Sequence, residues 1–210
     1  MKILGIETSC DETAVSVVEG RGGLKRPEFK VLSHLVSSQI KIHAPFGGGV
    51  PSLAKREHNK NLVPLLRHAL TEAKLLREVA HKTQLTLDEA GQVRLILERE
   101  MELLNQFLRF IPTIKPPPIE ALAVTVGPGL EPALWVGINL TRALGLVWRK
   151  PVVPINHLEG HLVSVLLQGE VKFPAVALVV SGGHTELVLV KEWLNYRNLG
   201  QTLDDAAGEA

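Results

Sequence analysis

The spacing of apolar positions changes several times along the chain, and each change predicts an element. Residues 3–7 form a short apolar run that stops at the polar turn Thr8-Ser9-Cys10-Asp11-Glu12; a second β-prone run covers 13–18, and the turn Gly20-Arg21-Gly22-Gly23 precedes a third over 30–38. Three consecutive antiparallel strands are the simplest reading. The stretch HAPFGGGVP from His43 has three successive glycines between prolines, which favours a shaped loop. Ser52 is placed to cap a following helix whose Leu53, Leu62, Leu65, Leu66 and Leu70 recur near helical spacing, with Pro64 marking where it could split in two. From 71 to 109 the pattern stays helical but charge-rich, and Leu95, Leu103, Leu104, Phe107 and Leu108 form an apolar stripe. This predicts an added helical hairpin whose stripe either packs on its own domain or receives a partner helix.

Pro112 and the triplet Pro116-Pro117-Pro118 return the chain to a different rhythm: strand 119–126, the turn Gly127-Pro128-Gly129, helix 132–148, strand 152–155, helix 158–167 and strand 175–180. That alternation calls for a mostly parallel sheet with helices on its faces, an α/β class. A hairpin follows, 175–180 against 186–190 across Ser181-Gly182-Gly183-His184-Thr185, and DDAAGEA from Asp204 opens a helix and stops, as a truncated chain would.

Composition narrows the class. Of 210 residues 45% are hydrophobic but only 4% aromatic, so the core is aliphatic. The 23 basic and 22 acidic residues nearly cancel, so overall charge does not advertise a nucleic-acid binder, although a local patch or partner could supply the attraction. One cysteine excludes an intrachain disulfide and fits a reducing compartment; with no secretory signal and no bilayer-length apolar run, the expectation is a cytoplasmic protein with no membrane association.

Two segments repeat an arrangement. ILGIETSCDETAVSVV from Ile3 and VALVVSGGHTELVLV from Val176 are each an apolar strand, a turn that begins with a hydroxyl and closes on threonine, and a second apolar strand. Such hairpins can face each other across a cleft and offer backbone N–H groups to phosphates; two unrelated hairpins are the bland alternative. Neither a Walker loop nor a dinucleotide fingerprint is present. His157-Leu158-Glu159-Gly160-His161 sets two imidazoles one helical turn apart, as two ligands of one metal require, or as two hydrogen-bonded helix histidines would sit. Glu159 falls on the opposite face, unlike the base of an HExxH protease. His34, His43, His58, His68 and His81 lack such spacing and read as surface or helix-packing residues, whereas His184 lies in the second turn. Cys10 reads as a small buried thiol. Asp11 and Glu12 in the first turn could position an amine.

Six ordered stretches, GIETSCDETAVSV from Gly5, HAPFGGGVPSLAKREH from His43, VTVGPGLEPALWVGINLTRALG from Val124, NHLEGH from Asn156, VVSGGHTEL from Val179 and LDDAAGEA from Leu203, closely resemble the bacterial TsaD family. These are the catalytic subunits of tRNA N6-adenosine threonylcarbamoyltransferase, once called O-sialoglycoprotein endopeptidases. The resemblance implies an actin-like ATPase fold of the sugar kinase and Hsp70 type, with ribonuclease-H-like lobes and a truncated second lobe: residues 1–170 as the first, with a helical insertion at about 71–118, and 171–210 as the start of the second. It implies transfer of a threonylcarbamoyl group from threonylcarbamoyl-AMP to N6 of adenosine 37 in tRNAs reading ANN codons, complete only with further C-terminal sequence. His157 and His161 fall on the family's metal ligands, for one divalent iron or zinc. Val179, Val180, Ser181, Gly182 and Gly183 fall on its substrate segment, which His184 adjoins, and Asp11 and Glu12 on its first, catalytic loop. Implied partners are tRNA, a paralogous TsaB-like subunit and a TsaE-like ATPase. A noncatalytic shortened paralogue, binding the true enzyme, is the competing expectation.

Overall fold

The computed structural model describes residues 1–23, 26–165, 171–180 and 185–203. They fall into two compact units, one of Met1–Gly23 with Pro27–His157, the other within Leu158–Ala210. The first unit is built on a five-stranded sheet of β1 (Lys2–Glu7), β2 (Glu12–Arg21), β3 (Glu28–Ser38), β4 (Ala121–Gly127) and β5 (Val152–Asn156), in the order β3-β2-β1-β4-β5. β1, β2 and β3 pair antiparallel as the apolar runs predict, while β4 and β5 join β1 in parallel, so the sheet is mixed. Alternation puts Leu4 and Ile6 of β1 and Val15 and Val17 of β2 into the core, leaving Glu7 on the opposite face from Ile6.

The short helix α1 (Ile40–His43) leads into the glycine loop, and α2 (Pro51–Glu72) follows it. Ser52 does not cap α2: Val50 is the extended N-cap residue, and Pro51 takes the first helical position, where its missing N–H costs nothing. Pro64 does not split the helix either. A proline there removes the N–H that would bond the Lys60 carbonyl, and the Gln106 side-chain amide donates to that oxygen instead at 3.2 Å. Leu62, Leu66, Ala69 and Leu70 of α2 are fully buried.

Between α2 and β4 the chain forms a pair of helices, α3 (Leu87–Ile96) and α4 (Met101–Phe110). Thr86 starts α3 with a complete capping box, accepting from Glu89 N–H while the Glu89 carboxylate accepts from Thr86 N–H. Leu103, Leu104 and Phe107 of the predicted stripe join the same core as α2, and Leu108 is partly buried; Leu95 is 70% exposed. The stripe therefore packs on its own domain. α5 (Glu131–Trp148) lies beside α2 and over β4.

The second unit contains α6 from Leu158 onward (His157–Ser164 in full) and an antiparallel sheet, β6 (Ala175–Val180), β7 (Thr185–Glu192) and β8 (Asn195–Gln201), in the order β6-β7-β8. The sequence pattern gave no sign of β8, whose residues NYRNLGQ are largely polar. The turn Ser181 to His184 and the helix proposed from Asp204 lie outside the described residues.

Candidate functional site

The parallel strands β1, β4 and β5 end side by side, and the residues at those ends converge. Glu7 closes β1, Thr125 sits near the end of β4, and His157 follows the last residue of β5 and opens α6. Clefts at the carboxyl ends of parallel strands are where open α/β sheets place ligands. One oxygen of Glu7 accepts from the Ser9 backbone N–H at 2.5 Å, and the other accepts from Thr125 Oγ1 at 2.5 Å and lies 3.2 Å from Nδ1 of His157. Ser9 Oγ is also 3.2 Å from that nitrogen. Burial alone would raise the Glu7 carboxyl, but the hydrogen bonds from His157, Thr125 and Ser9 outweigh it and hold its pKa at about 2. His157 is shifted the other way: its hydrogen bond to Glu7 raises it against partial burial, helped by the charges of Glu7 and Glu12.

The first loop is seated by close backbone approach. Leu130 N–H donates to the Ser9 carbonyl at 2.7 Å and Thr8 Oγ1 donates to the Ala133 carbonyl at 3.0 Å. Only glycine fits the two facing positions: a Cβ on Gly129 would lie 2.5 Å from the Ser9 carbonyl oxygen, and one on Gly137 2.5 Å from Thr8 Oγ1. Behind the loop runs a buried chain of donors and acceptors. Val50 N–H donates to His43 Nδ1 at 3.2 Å, His43 Nε2 donates to Gln39 Oε1 at 3.0 Å, Gln39 Nε2 donates to His58 Nδ1 at 3.3 Å, and His58 Nε2 donates to the Cys10 carbonyl at 2.9 Å. Thr13 Oγ1 also reaches His58 Nδ1, at 2.8 Å. His43 and His58 are therefore buried helix residues that connect to the first loop, which matches the helix-packing alternative and not the surface one. Burial lowers the His58 pKa, against the hydrogen bond to Cys10.

Cys10, read from sequence as buried, is exposed, because the loop turns its carbonyl inward to His58 and its thiol outward. Its pKa is raised by partial desolvation and by neighbouring Asp11, which keeps it a poor nucleophile. Glu12, first residue of β2, has its carboxyl raised by desolvation and then by the charges of Asp11 and Glu7, with His157 opposing. Glu12 thus stands within electrostatic reach of His157, and Asp11 is its immediate neighbour. His161 lies one turn beyond His157 on α6. Within the second unit His161, Val179 and Val180 line one cavity, together with Phe173, Trp193 and Tyr196. Ser181, Gly182, Gly183 and His184 lie outside the described residues.

Sequence reasoning did not nominate Glu7, Ser9 or Thr125 for the site. A carboxylate closing an otherwise apolar strand was the available signal for Glu7. Among the described residues no group of three or more His, Cys, Asp or Glu side chains is arranged to hold a metal ion. No helix of the described residues is long and apolar enough to cross a membrane.

Comparison with known proteins adds an independent observation. The family model "TsaD: tRNA N6-adenosine threonylcarbamoyltransferase" matches residues 30–81 and 94–210, passing over the segment that leads into and begins α3. A tRNA N6-adenosine threonylcarbamoyltransferase of Persephonella marina is 43% identical over 210 residues, covering 100% of this chain and 48% of that protein. One of Thermomicrobium roseum is 44% identical over 218 residues, covering 100% and 47%. The chain therefore spans about half the length of the curated relatives it matches. Among solved structures, YeaZ from Pseudomonas aeruginosa aligns with a TM-score of 0.46 at 14% identity, covering 96% of this chain and 68% of that one. A PPX-GPPA enzyme of Aquifex aeolicus aligns with a TM-score of 0.36 at 13% identity, covering 96% and 51%.

Proposed function

Starting from the fact that this chain belongs to the TsaD family of tRNA N6-adenosine threonylcarbamoyltransferases, we propose that it carries the first lobe and the beginning of the second lobe of such a transferase. The lobes would be of the ribonuclease-H-like, actin-type ATPase kind. The mixed sheet of the first unit, three antiparallel strands continued by two parallel ones, supports that reading. The reaction is acyl transfer to nitrogen. The N6 amine of adenosine 37 attacks the carbamoyl carbonyl of threonylcarbamoyl-AMP, a C–N bond forms, the C–O bond to the phosphate breaks, and AMP leaves.

The observation that carries the reading is the convergence of Glu7, Glu12 and His157 at the carboxyl ends of the parallel strands. Glu12, with its raised carboxyl, is the acceptor for the proton lost from N6, and Asp11 orients the amine beside it. Gly182 and Gly183 let backbone N–H groups approach the adenylate, with Val179, Val180, Ser181 and His184 completing the segment. His157 and His161 fit a divalent iron or zinc, because the pair has one-turn spacing and Nδ1 of His157 is bound to a carboxylate, as metal-ligating imidazoles usually are. Such a metal supplies Lewis acidity to the donor's acidic groups. Partners in this reading are tRNA, a TsaB-like subunit and a TsaE-like ATPase.

Because the chain spans about half of its relatives, ligand binding is the step to test on it. Zinc content and threonylcarbamoyl-AMP affinity are measured for the chain and for the double variant His157→Ala, His161→Ala. Loss of both in the variant is expected, and equal zinc binding by the two proteins would defeat the assignment. Transfer to ANN-reading tRNA, in a chain extended to its relatives' length, should fall about 100-fold or more for Glu12→Gln.

A further inference from the structure

We propose that Glu7 is a positioning residue, fixing the ring of His157 with its proton on Nδ1 so that Nε2 is the nitrogen offered to a metal. This rests on the reading of His157 as a metal ligand and adds a residue to it. Glu7 contributes nothing to the aliphatic core, since the alternation of β1 buries Leu4 and Ile6 and turns Glu7 to the other face. Nor is it an unanchored strand end, although its side chain is 31% exposed. Its carboxylate is pinned from two directions that do not involve the histidine: one oxygen by the Ser9 backbone N–H, the other by the Thr125 hydroxyl on β4. The second oxygen is thereby aimed at His157 Nδ1, 3.2 Å away.

An ionised carboxylate can only accept, so a neutral His157 bound to it carries its proton on Nδ1. Ser9 Oγ, at the same distance from Nδ1, can either donate or accept and does not set the tautomer by itself. The preference runs against the intrinsic one, because neutral histidine in water favours the proton on Nε2. Glu7 would therefore hold the ring in the tautomer that water disfavours and a metal at Nε2 requires. A carboxylate that anchored the first loop to β4 without bonding to Nδ1 would impose no such bias.

The test uses the metal-free chain with ¹⁵N-labelled histidine, observed by long-range ¹H–¹⁵N correlation at a pH where His157 is neutral, and then a Co²⁺ titration. The wild-type chain should show His157 mainly as the Nδ1–H tautomer. Glu7→Gln should abolish that dominance and raise the Co²⁺ dissociation constant about 10- to 100-fold. A wild-type His157 protonated mainly on Nε2 overturns the proposal without any variant, which keeps it falsifiable should Glu7→Gln fail to fold. A folded Glu7→Gln with unchanged tautomer and unchanged Co²⁺ affinity overturns it too, and if His157→Ala, His161→Ala abolishes Co²⁺ binding, the metal reading survives that failure. If the double variant instead binds Co²⁺ like wild type, the metal reading fails, and the positioning role falls with it whatever the tautomer.

Discussion

In the five-stranded sheet Leu4, Ile6, Val15, Val17 and Leu122 are no more than 3% exposed, whereas in β6 Val176, Leu178 and Val180 are 59%, 64% and 51% exposed. Both sheets are rich in aliphatic residues, so composition does not separate them. The first sheet has α2 and α5 against it, and α4 extends the same core through Phe107. In the second unit, burial among described hydrophobic residues is confined to Val179, Val188 and Val190. β6 reads AVALVV, apolar at every position, as a strand covered on both faces would be. The difference teaches that stabilising burial is concentrated in the first unit, and that one face of β6 contributes little.

Substitutions can break that contrast. Phe107→Ala should lower the unfolding free energy by about 3–5 kcal/mol, and Leu178→Ala by no more than about 0.5 kcal/mol, both measured by urea denaturation. Similar losses at the two positions would erase the distinction. Next in size is Lys55→Met. Glu100 is almost fully buried, with Lys55 Nζ at 3.2 Å and Asn139 as its other partner, so losing the cation strands a carboxylate. The expected cost is about 2 kcal/mol, below that of a fully buried pair because Lys55 is near the surface. Thr86→Ala, which removes one arm of the capping box of α3, should cost about 1 kcal/mol in the same assay.

The last effect is a slope. Burial depresses the His58 pKa below the ordinary 6.5, so the unfolded chain takes up the proton first as pH falls. Its contribution to stability is present above about 6.5 and is lost as pH drops through the folded value. The charges of Glu7 and Asp11 oppose the shift and His43 reinforces it. The stability difference between wild type and His58→Gln should shrink from about pH 8 to about pH 5. A difference independent of pH would show that His58 is not resisting protonation in the folded protein.

Much of the first unit was legible because its signals are local. The hairpin of β1 and β2, the turn at Gly127 to Gly129 and α5 all follow from periodicity and glycine placement over a few residues. What was missed depends on distant partners. Pro64 breaks an isolated helix, and the amide that compensates sits on α4, 42 residues further along. His43 and His58 have no telling spacing, because Gln39 and the Cys10 carbonyl connect them through space. β8 was invisible since it relies on the β7 backbone and not on apolar side chains. Of the candidate site, the histidine spacing and the acidic first turn were readable. Glu7 was not, since its role depends on Thr125 and His157, each more than 100 residues away.

The Gln106 amide bonded to the Lys60 carbonyl has a practical corollary for anyone redesigning this scaffold. Excising the hairpin of α3 and α4 to make a leaner variant would also take away the prosthesis for a missing donor in the long helix. A workable deletion would have to swap Pro64 for an ordinary helix former at the same time, so that trimming and repair are made together.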